Sequence, residues 1–142
     1  MGKRPRIRQI AICLLRRGDR ILVHEGEDTV KGIRFARPLG GGIDFGEHSW
    51  DAAIREIREE LGAEITDVEF VGMIESIYIY LGEPGHELVF VYNGLFVDES
   101  LYEQDVLQVT EGKRRFEARW RSLDELKAEN ILLVPEGLEQ WL

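Results

Sequence analysis

An α/β (α+β) fold, a mixed central sheet with helices on its faces, is what this sequence predicts. Three observations carry that expectation. Apolar residues crowd into several stretches, notably residues 7–15, 64–80 and 87–97, with Val, Ile, Phe and Tyr abundant in 64–80, and such residues suit a pleated, half-buried surface. Between the first two lies residues 48–61, where Trp50, Ile54, Ile57 and Leu61 recur at helical spacing. Strand and helix patterns alternate and are joined by turn residues, which favours mixed layers over separate all-α or all-β units.

Residues 7–15 read as the first strand and 20–24 as its hairpin partner, with Arg17-Gly18-Asp19 as the turn. Residues 25–32 are polar and contain glycine, hence loop. Phe35-Ala36-Arg37-Pro38-Leu39 is a short extended piece, because a proline pushes the preceding residue away from helix. Gly40-Gly41-Gly42 reads as a flexible bend. The helix at 48–61 begins near Ser49 or Asp51, and Gly62 suits its C-terminal cap. Its apolar stripe assigns Trp50 to the core. Residues 64–80 form a long strand bent at Gly72, Gly82-Glu83-Pro84-Gly85 a turn, and 87–97 the next strand. Residues 98–113 read as loop and 116–120 as a shorter strand. Ser122 caps a helix at 123–128, and a last short helix spans 135–142 with Pro135 in its first turn.

The 142 residues fit one domain, 1–142, with no repeat or linker, long enough to bury a core without disulfides. The lone cysteine, Cys13, lies in an apolar run and reads as a small buried residue. The start, Met1-Gly2-Lys3-Arg4-Pro5-Arg6, is basic, and its Arg4-Pro5-Arg6 stretch reads as a frayed terminus. The apolar run after it is broken at Arg16-Arg17 with no cleavage site, so a cytoplasmic protein is expected. No segment is long enough to span a bilayer. With 27 acidic and 18 basic residues the formal net charge is −9, which argues against membrane surfaces and makes nucleic acid an unlikely partner. A phosphate-bearing ligand would need a cation between it and such a surface.

The other face of the helix carries Arg55, Glu56, Arg58, Glu59 and Glu60. Glu56, Glu59 and Glu60 are three and four residues apart and project from one side, where like charges repel. A hard divalent cation turns that repulsion into attraction, since carboxylate oxygens are the ligands Mg²⁺ and Mn²⁺ prefer. A solvated acidic face laced to Arg55 and Arg58 is the competing reading. Just upstream, the loop Gly40-Gly41-Gly42-Ile43-Asp44-Phe45-Gly46-Glu47 lets backbone approach a ligand closely.

Loop and helix together resemble the Nudix family. Its box is G-x5-E-x7-R-E-U-x-E-E-x-G-U, where U is a bulky aliphatic residue. Gly41 is followed after five residues by Glu47, and after seven more by Arg55-Glu56-Ile57-Arg58-Glu59-Glu60-Leu61-Gly62. Only the last position departs, with the smaller Ala63. Upstream, Pro38-Leu39-Gly40-Gly41-Gly42 stands where many members have Pro-Gly-Gly.

The resemblance implies an α/β/α sandwich and a pyrophosphohydrolase. The substrate it implies is a small nucleoside diphosphate linked to another moiety, and the cofactor Mg²⁺ or Mn²⁺. It implies that Glu56, Glu59 and Glu60 bind metal, with Glu56 a candidate general base and the Gly40 carbonyl a further ligand. Arg55 and Glu47 would be a pair that orients them. A further carboxylate from a later loop is common in the family, and Glu103, Glu111 and Glu117 are the candidates, Glu111 first. The family also contains homodimers. The alternative is a Nudix-fold module that senses a nucleotide without cutting it. Arg6, Arg8 and Arg37 are candidates to meet phosphate.

Overall fold

The apolar runs become two mixed sheets. In this computed structural model residues 4–142 are described, so Met1, Gly2 and Lys3 of the basic start lie outside the described residues. The first strand, β1 (Arg8–Leu14), is followed by the two-residue β2 (Arg16–Arg17) and by β3 (Arg20–Asp28). Residues 20–24 were expected to pair with β1, but β3 makes its hairpin with β2. The cause lies in β1 itself. Every residue from Ile10 to Leu14 is buried, and a strand apolar on both faces belongs inside a sheet. Its partners are β5 (Gly40–Gly42), antiparallel, and β7 (Glu83–Phe96), parallel.

Several segments expected as loop, bend or turn are strand, Glu83-Pro84-Gly85 at the start of β7 among them. Residues 25–28 continue β3 and pair with β4 (Ile33–Pro38). Asp28 ends the strand by accepting backbone N–H groups of Val30 and Lys31, each at 3.0 Å. The three glycines of β5 are pinned to β1 rather than flexible. After the helix α1 (Ser49–Leu61) come β6 (Ile65–Tyr80), which pairs along β7, and a 3₁₀ turn at Glu99–Glu103. Residues 98–113, expected as loop, contain β8 (Val106–Glu111), which forms a hairpin with β9 (Arg114–Ser122). The helix α2 (Leu123–Ala128) is capped by Ser122, whose hydroxyl accepts the Glu125 N–H, as expected. Then β10 (Ile131–Leu133) pairs with β4 in parallel, and the terminal helix shrinks to a 3₁₀ turn, Leu138–Trp141, beyond Pro135.

The sheet orders are β5-β1-β7-β6 and β10-β4-β3-β9-β8, with β2 on the edge of β3. Ile10, Ile12, Val89, Val91, Val23 and the α2 residue Leu126 share one buried cluster; Cys13, Leu22, Leu39, Ile57, Val109 and Trp120 share a second, on the α1 side. Burial pushes the Cys13 thiol up to about 12, so it stays protonated and behaves as a small apolar residue.

The apolar stripe of α1 is rotated from the expected one. Ala52, Ala53, Ile57 and Glu60 are its buried residues. The alanines lie against Ala11 and Tyr92, and small side chains let the helix approach the sheet closely. Ile54 and Leu61 are shifted to the flank, and Trp50 is 46 % exposed and stacked on His48. Trp50 is therefore not a core residue. The rotation turns Glu60 inward. Gly62 ends the helix in the left-handed conformation, its N–H bonded to the Arg58 carbonyl.

Candidate active site

The glycine strand and α1 hold the predicted acidic residues together, and Arg55 is the knot between them. Its Nε and Nη2 donate to the two oxygens of Glu47 at 2.8 and 2.9 Å, and Nη2 also donates to the Gly42 carbonyl at 2.8 Å. Nη1 donates to Glu56 at 3.0 Å and to both oxygens of Glu59 at 3.3 Å. Glu47 in turn accepts the Asp44 N–H at 3.1 Å, closing the loop over the start of the helix. Arg55 pulls the Glu47 carboxyl below its ordinary range, and Glu47 foremost holds the guanidinium charged. One planar, five-donor side chain thus fixes three carboxylates and a loop.

Two glycines are needed by contact. A Cβ on Gly40 would lie 2.1 Å from the Ala11 carbonyl oxygen, and one on Gly41 would lie 2.5 Å from the Glu56 carboxyl carbon. Bare backbone therefore lies beside both β1 and the Glu56 carboxylate.

Glu60 is 5 % exposed, and its Oε1 has no hydrogen-bond partner. Burial pushes its carboxyl up to about 8, reinforced by the negative charges of Glu56 and Glu111; a hydrogen bond from the Gly40 backbone and the charge of Arg37 oppose the rise. Glu56 is raised too, by burial first, against the pull of Arg55. Of the three later carboxylates, Glu111 is the one whose charge adds to the upward push on Glu56 and Glu60, although its side chain also lies 3.8 Å from Arg114. It sits at the end of β8 rather than in a loop. Glu117 is tied to Arg119 and Gln108 on an exposed stretch, and Glu103 ends the exposed 3₁₀ turn.

Among the described residues, no three Asp, Glu, His or Cys side chains converge to hold a cation as they stand. Arg55 draws Glu56 and Glu59 toward itself. The donor set nevertheless fits Mg²⁺ or Mn²⁺. It is all oxygen, and one buried carboxylate oxygen lacks any partner, a position that costs free energy until something positive meets it.

The NUDIX domain profile matches residues 5–142. The chain belongs to the Nudix family. A NAD-capped RNA hydrolase NudC of Pseudomonas aeruginosa (strain LESB58) is 28 % identical over 123 residues, which are 86 % of this chain and 38 % of that protein. Its namesake from Pseudomonas putida (strain W619) is 38 % identical over 68 residues, 48 % of this chain and 24 % of that one. The matched stretches are thus well under half of those relatives. Among solved structures, a MutT NUDIX hydrolase from Burkholderia pseudomallei superposes with a TM-score of 0.62 at 25 % identity, over 85 % of this chain and 87 % of that one. A NUDIX hydrolase from Nitrosomonas europaea shares the fold with a TM-score of 0.63 at 18 % identity, over 94 % and 85 % of the two chains.

Sequence reasoning missed one buried acidic residue outside the Nudix box. Glu87, at 3 % exposure, accepts from Arg8 at 3.5 Å and from Arg37 at 3.4 Å. A single acidic residue heading the apolar run Leu88-Val89-Phe90-Val91 is its only sequence signal.

Proposed function

We propose that this chain is a divalent-metal-dependent pyrophosphohydrolase acting on a small nucleoside diphosphate linked to another moiety. The observation that carries the reading is Glu60. A buried carboxylate with an orphaned oxygen, one turn from Glu56 and within the field of Glu111, has no structural benefit that an apolar residue would not exceed. Such an arrangement persists where a cation is to be bound.

In this reading Glu56, Glu59 and Glu60 hold Mg²⁺ or Mn²⁺ with the Gly40 carbonyl, and Glu111 is the further carboxylate. The cation, when bound, supplies charge neutralisation of the diphosphate and acidifies water. Glu56 accepts the proton of the attacking water, a role suited to a carboxylate whose pKa burial has raised. Arg55 orients Glu56 and Glu59 while Glu47 keeps the guanidinium in place, as outer partners orient metal ligands. The bare backbone of Gly41 leaves the Glu56 carboxylate free of a neighbouring side chain. The net charge of −9 favours small diphosphates over long RNA, even though the NudC relatives are named for a capped RNA.

The test is product release from a panel of nucleoside triphosphates, ADP-ribose, dinucleotides such as NADH, and an NAD-capped RNA. Mg²⁺, Mn²⁺ and EDTA are compared, together with Glu56→Gln and Glu60→Gln. Metal-dependent turnover lost in the variants supports the reading. Binding of nucleotide and metal without turnover replaces it with the sensing module.

A further inference from the structure

We propose that Arg37, seated on the buried Glu87, is an anion-binding residue that grips the phosphate next to the one held at Glu56 and Glu60. The identity of that anion rests on the hydrolase reading above. The residue lies on β4, opposite His24 of β3 and three positions before Gly40. Four residues on from Arg37, the Gly41 backbone lies directly against the Glu56 carboxylate, so β4 leads straight into the acidic group; in keeping with that, the Arg37 charge is felt at Glu60 as well as at His24 and Tyr78. A diphosphate whose first phosphate meets the carboxylate group through a cation would bring its second into that field.

The seat is built rather than incidental. Glu87 is almost fully buried and accepts from both Arg8 and Arg37, and burial together with the Glu87 charge raises the pKa of the nearby Tyr78 hydroxyl. The Tyr78 ring lies against Gly85, where a Cβ would come within 2.3 Å of its Cζ. Arg8 is already the register partner of Glu87 in the β1–β7 pair and is enough to neutralise it. Adding Arg37 leaves one positive charge in excess, on a protein of net charge −9. Among the described residues the Arg37 side chain makes that one hydrogen bond, and it is long, at 3.4 Å. A guanidinium has five N–H donors in a fixed fork that matches phosphate, so most of its capacity is open. The side chain is 31 % exposed, which leaves it accessible from solvent. A strut that only held two sheets together would need neither the extra charge nor the access.

The experiment uses the full chain with methylene diphosphonate, a diphosphate analogue whose carbon bridge resists hydrolysis, titrated with and without Mg²⁺ into wild type, Arg37→Ala and Arg37→Lys. Mn²⁺ alone is titrated in parallel, and unfolding is followed as a control. Arg37→Ala should weaken diphosphonate binding by about tenfold to a hundredfold, the worth of a charged hydrogen-bonded contact. Arg37→Lys should recover only part of that, because an ammonium lacks the fork. Affinity for Mn²⁺ alone should not fall, since a positive charge has been removed. Unchanged diphosphonate affinity in Arg37→Ala, or Mn²⁺ affinity lost in step with it, would overturn the proposal. If wild type binds the diphosphonate through Arg37 but cleaves nothing in the panel, the hydrolase reading fails and the anion site stands.

Discussion

Two glutamates of this protein are buried to nearly the same degree and meet opposite fates. Glu60 is 5 % exposed and Glu87 3 %. Glu87 is bracketed by two arginines and a tyrosine hydroxyl. Glu60 faces other carboxylates, with one oxygen unpartnered. The first arrangement satisfies the charge with groups of the protein, and the second leaves it for something from outside. Burial alone therefore says nothing about function; the sign of the neighbours does. Arg37 touches both cases, bonded to Glu87 and acting on Glu60 from a distance.

The largest effects should fall on the unpartnered side. Glu56→Gln is expected to lower kcat by about 10²–10⁴-fold, the usual worth of a general base. Steady-state rates at saturating substrate and metal measure it, and an undiminished rate would move the base to Glu111, tested by Glu111→Gln. Glu60→Gln should weaken Mn²⁺ binding by more than the roughly 10–100-fold typical of losing an outer partner of a ligand, read by titration of the metal alone. Stability should then order the two buried glutamates the other way. Glu87→Ala leaves two arginines facing each other and should destabilise the fold by about 3 kcal/mol, the low end for a broken buried pair because both arginines keep contact with water. In EDTA, Glu60→Gln should raise the urea midpoint instead. If both variants were destabilised alike, the contrast between the two sites would be lost.

That contrast was only half legible in the sequence. The spacing of Glu56, Glu59 and Glu60 after a glycine loop is local, so it could be read directly, as could the Gly62 and Ser122 caps. The inward turn of Glu60 could not. Reading the helix by its bulkiest residues chose Trp50, Ile54, Ile57 and Leu61, whereas the sheet accepts the face with the small Ala52 and Ala53. Which face is buried depends on how close the sheet comes, and that is a tertiary fact. β5 was hidden for a similar reason: glycines have no side chains to alternate, and only the open edge of β1 makes them a strand. β8 did carry a signal, the alternation of Leu107 and Val109, which are both buried. Glu87 carried almost none, because its two arginines come from β1 and β4, distant in sequence.

Smaller effects should appear as pH dependence. In metal-free protein the Glu60 carboxyl is raised from 4.5 to about 8. Between those values the folded state holds a proton that the unfolded state has released, so stability falls as pH rises through the window. Thermal unfolding in EDTA should show a falling Tm from acid to mildly alkaline pH, and Glu60→Gln should flatten the slope. A slope that survives the substitution would assign it to another group.

The smallest shift runs with the opposite sign and comes from the neighbour of Arg37. Burial first, then the charges of Arg37 and Arg114, lower the His24 pKa from 6.5 to about 4. Its ring is partly buried and tilted against Phe116 at 4.9 Å, and it is the loss of water together with the nearby arginines that disfavours the imidazolium. Below pH 6.5 the unfolded chain takes up a proton that the folded chain refuses, so this contribution to stability is present above that pH and is lost as pH falls toward 4. His24→Gln should reduce the acid-side loss. Arg37→Ala should reduce it less, because it removes only the weaker electrostatic contribution and leaves burial in place. Unfolding midpoints at pH 7 and pH 5 for the three proteins give the comparison. If Arg37→Ala matched His24→Gln, charge rather than burial would govern the ring, and the field of Arg37 would act more strongly than a single partly exposed guanidinium suggests.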